Sequence, residues 1–154
     1  MSIHVVRHAK AGDRSEWDGP DELRPLSRTG AGQAVALVDL LGAAPVKRIL
    51  TSRYRRCVET VEPLAERLGL EVEEHPALAE ESDVKATWAL LKQLTGTEAV
   101  VCTHGNLLGP LLDRLHRRGV ELADRWTCKK GSVWTIEEGP DGTFARARYT
   151  PPGR

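Results

Sequence analysis

Three short apolar runs, each followed by a segment with helical spacing, constrain the fold of this chain most. The runs are IHVVR at residues 3–7, VKRILTS at residues 46–52 and EAVVCTH at residues 98–104. Runs rich in β-branched and aliphatic residues are typical of central strands that are covered on both faces. Strands that alternate with helices form a largely parallel sheet. The sequence therefore predicts an α/β fold, a three-layer αβα sandwich with a mostly parallel central sheet.

The segments between these runs carry the signals of helix starts and ends. Ser27 predicts an N-cap, and Gly42 predicts the end of the first helix. The predicted apolar face of that helix consists of Ala31, Ala34, Val35, Val38 and Leu41. A second helix is predicted from Tyr54 to a stop at Gly69, and a third opens at Asp83. A fourth covers residues 107–118, with Pro110 tolerated near its first turn.

The rest of the chain predicts edge strands and one long loop. Residues 70–75 predict a third strand, and residues 132–149 predict two strands joined by a Gly-Pro-Asp-Gly turn. Residues 10–26 are polar and contain DGPDELRP, so we expect an irregular surface loop there. We find no repeat, low-complexity tract or long linker, and expect residues 1–154 to form a single domain.

Histidine and arginine side chains follow three of the predicted strands. Arg7 and His8 end the first, Arg56 lies just beyond the second, and His104 ends the EAVVCTH run ahead of Gly105. In open α/β sheets the ligand binds at the carboxyl ends of the strands. We therefore expect these side chains to meet at one edge of the sheet.

This combination of side chains suits the binding and transfer of a phosphoryl group. Arg7 and Arg56 offer planar, permanently charged forks for phosphate oxygens. A neutral His8 would attack phosphorus, forming a phosphohistidine intermediate. His104 would donate a hydrogen bond to the same oxygens, and Gly105 would let the backbone of the next helix approach them.

Other readings of individual residues stay open. His75 and His116 fit surface positions, and His4 fits a hydrogen-bonded polar group of the core. Arg53 and Arg55 fit solvated surface charge, although either would be able to reach the same edge. The Gly-x-Gly in TGAGQAV does not follow a strand directly, which argues against a dinucleotide site. The carboxylates lack metal-ligand spacing with the histidines, so we expect no metal and no cofactor.

Charge and cysteine content exclude several classes of partner. Basic and acidic residues number 22 each, so no overall field favours nucleic acid or a membrane surface. No apolar stretch approaches the roughly 18 residues of a membrane helix, and the N-terminus lacks a signal-peptide pattern. The three cysteines show no CxxC spacing, which fits inert thiols in a reducing compartment. We expect a cytoplasmic protein that binds neither nucleic acid nor membrane.

The chain resembles the histidine phosphatase superfamily, the group that includes phosphoglycerate mutase and many small phosphatases. Arg7-His8-Ala9 is similar to its Arg-His-Gly signature, with alanine in place of glycine. SRYRRCVET is similar to its Ser-x-x-x-Arg-x-x-x-Thr segment, and THG contains its second histidine. Residues 24–30 resemble the short SixA-type phosphohistidine phosphatases, and KKGSVWTIE resembles the domain fused to some Nudix hydrolases. The resemblance implies a covalent phosphohistidine on His8 in a pocket of Arg7, Arg56 and His104.

The resemblance leaves the general acid and the substrate open. LAEES offers Glu80, with Glu81 adjacent, where larger family members place an acidic residue. The general acid that protonates an alkoxide leaving group would be Glu80 or Glu81, or the site would have no general acid. Protein phosphohistidine is the leading substrate hypothesis, because its protonated imidazole leaves without such an acid. The alternatives are a phosphatase for nucleotides or small phosphomonoesters, with Lys129, Lys130 or Trp17 as further contacts, and a non-catalytic phosphate-binding module.

Overall fold

A computed structural model describes residues 1–123 and 126–153, and within them the chain alternates strands and helices. The strands are β1 (Ser2–Arg7), β2 (Arg48–Thr51), β3 (Val72–Glu74), β4 (Ala99–Thr103), β5 (Glu121–Leu122), β6 (Val133–Glu138) and β7 (Phe144–Thr150). The α-helices are α1 (Arg28–Leu41), α2 (Arg55–Leu68), α3 (Val84–Gln93) and α4 (Gly105–Arg117). Single 3-10 turns occupy Arg14–Glu16, Asp21–Leu23 and Pro76–Leu78.

The strands join one mixed sheet in the order β3-β2-β4-β1-β6-β7-β5. The four strands β3, β2, β4 and β1 run parallel to one another. β6 is antiparallel to both β1 and β7, and the short β5 pairs in parallel with β7. The prediction of an α/β fold with a mostly parallel central sheet is therefore confirmed.

Helices cover both faces of the sheet, which is why four successive residues of β1 are all buried. Val6 packs with Leu37 of α1 and Leu64 of α2 on one face. Ile3 and Val5 point to the other face, into a cluster that takes residues of α3 and α4. Successive residues of a strand face opposite sides, so one buried strand supplies both cores.

The first helix is present, and its predicted apolar face is confirmed at Ala34 and Leu41 but wrong at Ala31 and Val35, which are exposed. Ser27 accepts the Gly30 N–H at 3.1 Å, which confirms the N-cap, and the helix ends at Gly42. Val35 is 59% exposed, whereas Leu37 and Gly30 are buried. A Cβ atom on Gly30 would clash with the Lys10 carbonyl oxygen, so this position brings the helix against the loop after β1. Apolar spacing alone did not reveal which stripe faces inward.

Three further predictions need correction, and all concern short-range geometry. The segment 10–26 is not wholly irregular, because 3-10 turns interrupt it and Ala11 pairs with Leu26 in an isolated bridge. Helix α4 begins at Gly105, which places Pro110 in its second turn. The sequence pattern also missed β5, which is only two residues long. A strand that short carries no detectable period.

Other predicted boundaries are confirmed. Gly69 ends α2 in the left-handed conformation with φ of 67°, and Asp83 caps α3 by accepting the Ala86 N–H at 2.9 Å. His4 is buried and contacts Thr135 Oγ1 at 3.0 Å and Glu98 Oε2 at 2.9 Å, as expected of a satisfied core polar group. No helix within the described ranges has the length and apolar character needed to cross a bilayer.

Candidate active site

The predicted histidines and arginines lie together at the carboxyl edge of the parallel strands. His8 and His104 directly follow β1 and β4, and Arg56 lies in the first turn of α2. They border a pocket of about 440 Å³. Its lining residues are Arg7, His8, Arg14, Arg24, Arg56, Glu80, His104, Gly105, Asn106 and Lys130. The structure thus brings together all six residues that the sequence singled out for the site.

His8 is buried in the tautomer that a nucleophile needs. Its Nδ1 lies 2.8 Å from the Ala9 carbonyl oxygen. A carbonyl only accepts hydrogen bonds, so Nδ1 carries the proton and Nε2 keeps a free lone pair. Burial, together with the nearby charges of Arg56, Arg7 and Lys130, lowers the pKa of His8 from 6.5 to about 4. The ring is consequently neutral at pH 7.

His104 presents its Nδ1 to the pocket. Its Nε2 lies 2.8 Å from the Ser52 hydroxyl, which itself accepts the Tyr54 N–H at 3.3 Å. A Ser52 hydroxyl that donates to Nε2 leaves the proton of a neutral His104 on Nδ1, where it is available as a donor. Burial, and then the proximity of His8 and Arg56, lowers the pKa of His104 to about 3. The rings of the two histidines are 5.4 Å apart between centroids.

The two arginines are fixed by backbone carbonyl groups. Arg7 Nη1 donates to the Cys128 carbonyl at 2.7 Å, and Arg56 Nη1 donates to the Asp21 carbonyl at 3.0 Å. A Cβ atom on Gly105 would lie only 2.7 Å from Arg7 Cζ. Glycine at this position is therefore required for the start of α4 to pack against the Arg7 guanidinium.

Three buried donors of this group have no hydrogen-bond partner. They are Arg7 Nε, Arg56 Nε and His104 Nδ1, and no other buried side-chain nitrogen or oxygen of the described residues is in this state. Buried polar groups in native structures almost always have a partner, so unpaired ones need an explanation. The N-terminus of α4, which follows His104 directly, adds free backbone N–H groups to the same edge. The arrangement suits an oxyanion such as phosphate.

The structure separates the two candidate acids. Glu80 lines the pocket, where its Oε2 accepts a hydrogen bond from Arg56 Nη2 at 2.6 Å and lies 3.4 Å from His104 Nδ1. Glu81 instead pairs with Arg53 at 2.6 Å and accepts from the Tyr54 hydroxyl at 3.2 Å. Of the two, only Glu80 lines the pocket.

Thr60 links the backbone next to His8 to the backbone of Arg56. Its hydroxyl accepts the Ala9 N–H at 2.9 Å and donates to the Arg56 carbonyl at 2.6 Å. The sequence analysis recognised Thr60 only as part of a motif and assigned it no role. No described non-glycine residue has a positive φ, so alanine in place of glycine at position 9 causes no backbone strain.

Several residues of the site carry no recognisable signal in the sequence. Arg14 and Arg24 line the pocket, and Asp21 binds both, because the loop before α1 folds back over the edge. No periodic signal marks such a loop residue. Of the further contacts considered, Lys130 lines the pocket, whereas Lys129 and Trp17 do not.

Arg53 and Arg55 also lie outside the pocket lining, in ion pairs with Glu22 and Glu59. Throughout residues 1–123 and 126–153, no cluster of three or more His, Cys, Asp or Glu side chains has a metal-binding arrangement.

The fold and the site define an α/β protein with a histidine- and arginine-lined anion pocket at the carboxyl edge of its sheet. The family model of the histidine phosphatase superfamily (branch 1) matches residues 3–83. The chain belongs to the histidine phosphatase superfamily.

Curated relatives match this chain over only part of their own length. An 8-oxo-(d)GTP phosphatase of Mycolicibacterium smegmatis is 34% identical over 156 residues, which cover 98% of this chain and 48% of that protein. The chain thus spans about half the length of the curated relatives it matches, or less.

Two solved structures illustrate the shared fold. The protein histidine phosphatase SixA, complexed with tungstate, superposes with a TM-score of 0.76 at 22% identity over 99% of this chain and 96% of that one. A mycobacterial glucosyl-3-phosphoglycerate phosphatase superposes with a TM-score of 0.73 at 18% identity over 96% of each chain. At these identities the likeness shows the fold.

Proposed function

We propose that this protein is a metal-independent phosphatase that works through a covalent phosphohistidine on His8. The observation that carries the proposal is the hydrogen bond from His8 Nδ1 to the Ala9 carbonyl. It fixes a lone pair on Nε2 of a buried, neutral imidazole within an arginine-lined pocket. In this proposal residues 1–154 act as one histidine-phosphatase domain.

The first step transfers the phosphoryl group to His8. Arg7, Arg56 and His104 Nδ1 donate hydrogen bonds to the phosphoryl oxygens, together with the backbone amides at the start of α4. The Nε2 lone pair forms a bond to phosphorus as the bond between phosphorus and the leaving atom breaks, an oxygen in an ester or a ring nitrogen in a phosphohistidine. The ester oxygen keeps the bonding electrons and takes a proton from the Glu80 carboxyl group. The ring nitrogen keeps the bonding electrons and leaves as a neutral imidazole, because the other ring nitrogen is already protonated.

The second step regenerates the enzyme. Water attacks phosphorus, the phosphorus–nitrogen bond breaks, and its electron pair returns to Nε2 of His8. The attacking water loses one proton, and inorganic phosphate leaves. Two guanidinium groups and preorganised donors stabilise the charge in both transition states, which is the role a metal ion has in other phosphatases.

Two substrate classes fit this mechanism. Protein phosphohistidine is the first, because a protonated imidazole departs without an acid, so the arginines and histidines of the pocket then suffice. A nucleotide or small phosphomonoester is the second, and the position of Glu80 favours it. A carboxyl group beside the phosphate is placed to protonate an alkoxide oxygen as it leaves.

Covalent trapping tests the proposal. After brief reaction with a ³²P-labelled phosphomonoester in EDTA, we expect an acid-labile, base-stable label on the wild type. His8→Ala should lack the label, whereas His116→Ala, which changes an exposed histidine outside the pocket, should retain it. Turnover without any labelled enzyme would contradict the covalent route. Activity lost in EDTA and restored by magnesium would contradict metal independence.

A substrate comparison separates the two classes. We would measure kcat/KM for a phosphohistidine-bearing protein and for a panel of nucleotides and alkyl phosphates. The highest value for phosphohistidine would support the first class, and the highest value for an alkyl phosphate would support the second. Phosphate binding without turnover of any compound would identify a non-catalytic binding module.

A further inference from the structure

The pocket contains a second group of cations beyond those that hold the transferred phosphoryl group. Arg14, Arg24 and Lys130 line it alongside Arg7 and Arg56, and we call these three residues the basic rim. They come from separate segments, the loop before α1 and the turn before β6. The mechanism described above uses none of them.

One carboxylate ties the basic rim to the phosphate pocket. Asp21 Oδ1 accepts from Arg24 Nε at 2.9 Å and lies 3.4 Å from Arg14 Nε. Its other oxygen lies 3.2 Å from Arg56 Nη2. Arg24 is buried and also donates to the Gly12 carbonyl at 2.6 Å. A single negative charge therefore serves three guanidinium groups and cannot neutralise them.

Lys130 adds a cation that is not balanced locally. No carboxylate of the described residues lies within 4.0 Å of its amino group, although the side chain borders the pocket. Burial lowers the pKa of Lys130, and so do the neighbouring cations Arg7, Arg24, Lys10 and Arg56. The like charges around the pocket thus act on one another.

A charge count indicates what the pocket lacks. Four arginines, Lys130 and one carboxylate line it, an excess of four positive charges when Lys130 is protonated and the histidines are neutral. Asp21 reduces the excess to three. A phosphoryl dianion compensates two of these, so one positive charge remains for another part of the substrate. Because proteins use such local fields to select ligands of opposite charge, this excess has a consequence for the substrate.

We propose that the basic rim binds a second anionic group of the substrate, next to the transferred phosphoryl group. The chemistry that fits is a phosphate or a carboxylate, as in the next phosphate of a pyrophosphate chain or the acid group of a phosphorylated hydroxy acid. This inference rests on the proposed function, and it narrows the substrate to a small polyanion. Arg14 makes the flexible contact, since its side chain is 70% exposed, and Arg24 holds the loop in place.

Calorimetric titration tests the rim without requiring turnover. The probes are orthophosphate, pyrophosphate and phosphoglycolate, titrated in EDTA into the His8→Asn protein so that none is hydrolysed. We expect pyrophosphate or phosphoglycolate to bind at least ten-fold more tightly than orthophosphate. Adding Arg14→Ala and Lys130→Ala should reduce that ratio at least ten-fold. Adding Lys129→Ala instead, at the adjacent lysine outside the pocket, should leave the ratio unchanged.

The outcomes distinguish this inference from the proposed function. A preference for pyrophosphate identifies phosphate as the second group, and a preference for phosphoglycolate identifies carboxylate. Equal affinities for all three probes, or a ratio that survives loss of both rim cations, would overturn the inference. These binding results do not depend on whether His8 becomes labelled. A wild-type enzyme that is never labelled would refute the covalent mechanism and leave the inference about the basic rim standing.

Discussion

Replacing Arg56 tests the site most directly, because this one side chain forms buried contacts in the fold and is proposed to bind the phosphoryl group. Arg56 is 1% exposed and donates to the Asp21 carbonyl and to the Glu80 carboxylate. Its Nε has no partner within the described protein. Arg56→Ala would remove the charge and leave Asp21 and Glu80 without their shared cation.

The magnitudes follow from these contacts. Loss of one preorganised donor to a transition-state oxyanion costs about 10²–10³ in kcat, or about 2.7–4 kcal/mol. Removing one partner of a buried ion pair costs about 3–5 kcal/mol of the free energy of unfolding. The Asp21 and Glu80 side chains keep 35% and 36% exposure, so water solvates them in part and we expect the lower end, about 3 kcal/mol.

The assay combines kcat/KM for p-nitrophenyl phosphate with urea unfolding of the same preparations. Arg56→Lys separates the two effects, since it keeps the charge and loses the planar fork. We expect it to recover much of the stability and little of the activity. The matched control is Arg55→Ala, which removes a 55% exposed partner of Glu59 and should cost only about 0.3–0.5 kcal/mol.

One result would refute the reasoning. If folded Arg56→Ala retained kcat/KM within three-fold of the wild type, Arg56 would not bind the phosphoryl group. The same measurement on Arg53→Ala would then show whether the neighbouring arginine does, although its ion pairs with Glu22 and Glu81 point it away from the pocket.

Two further predictions concern the titration of His8 and the role of Glu80. Because burial lowers the pKa of His8 from 6.5 to about 4, the unfolded chain binds more protons between these values. The free energy of unfolding should therefore fall as the pH drops from 6.5 to 4, by on the order of 3 kcal/mol from this group. Urea titrations across that range should show a smaller decrease for His8→Asn, and identical decreases would place His8 in water. Glu80→Gln should reduce kcat at least ten-fold more for an alkyl phosphate than for p-nitrophenyl phosphate, whose leaving group needs no proton. Equal losses would indicate that Glu80 only orients Arg56.

The sequence predicted the elements of the site that lie at ends of regular structure. Strand β1 ends at Arg7, and His8 and His104 follow β1 and β4 as the apolar runs indicated. Two parallel strands with hydrophobic sequences on both faces must end at the same edge, so their terminal side chains converge. The sequence also narrowed the acid to two adjacent glutamates but offered no basis for choosing between them.

Tertiary packing decided what the local pattern left open. Glu80 enters the pocket because Arg56 and His104 lie there, and Glu81 turns outward to Arg53. The predicted stripe of α1 was wrong at Val35 for a similar reason, since the contact of Gly30 with the loop sets the rotation of the helix. Hydrophobic periodicity indicates that a helix has a buried face. Close contacts between distant segments determine which residues lie on that face.

The chain's sequence by itself determined the alternation of strands and helices, the sheet edge and the four residues Arg7, His8, Arg56 and His104. These depend on short-range patterning and on the geometry shared by all parallel sheets. Only the tertiary structure decided the tautomer of His8, the choice of Glu80, and the gathering of Arg14, Arg24 and Lys130 at the pocket. Each of these depends on hydrogen bonds and charges between segments far apart in the chain, which no local period encodes.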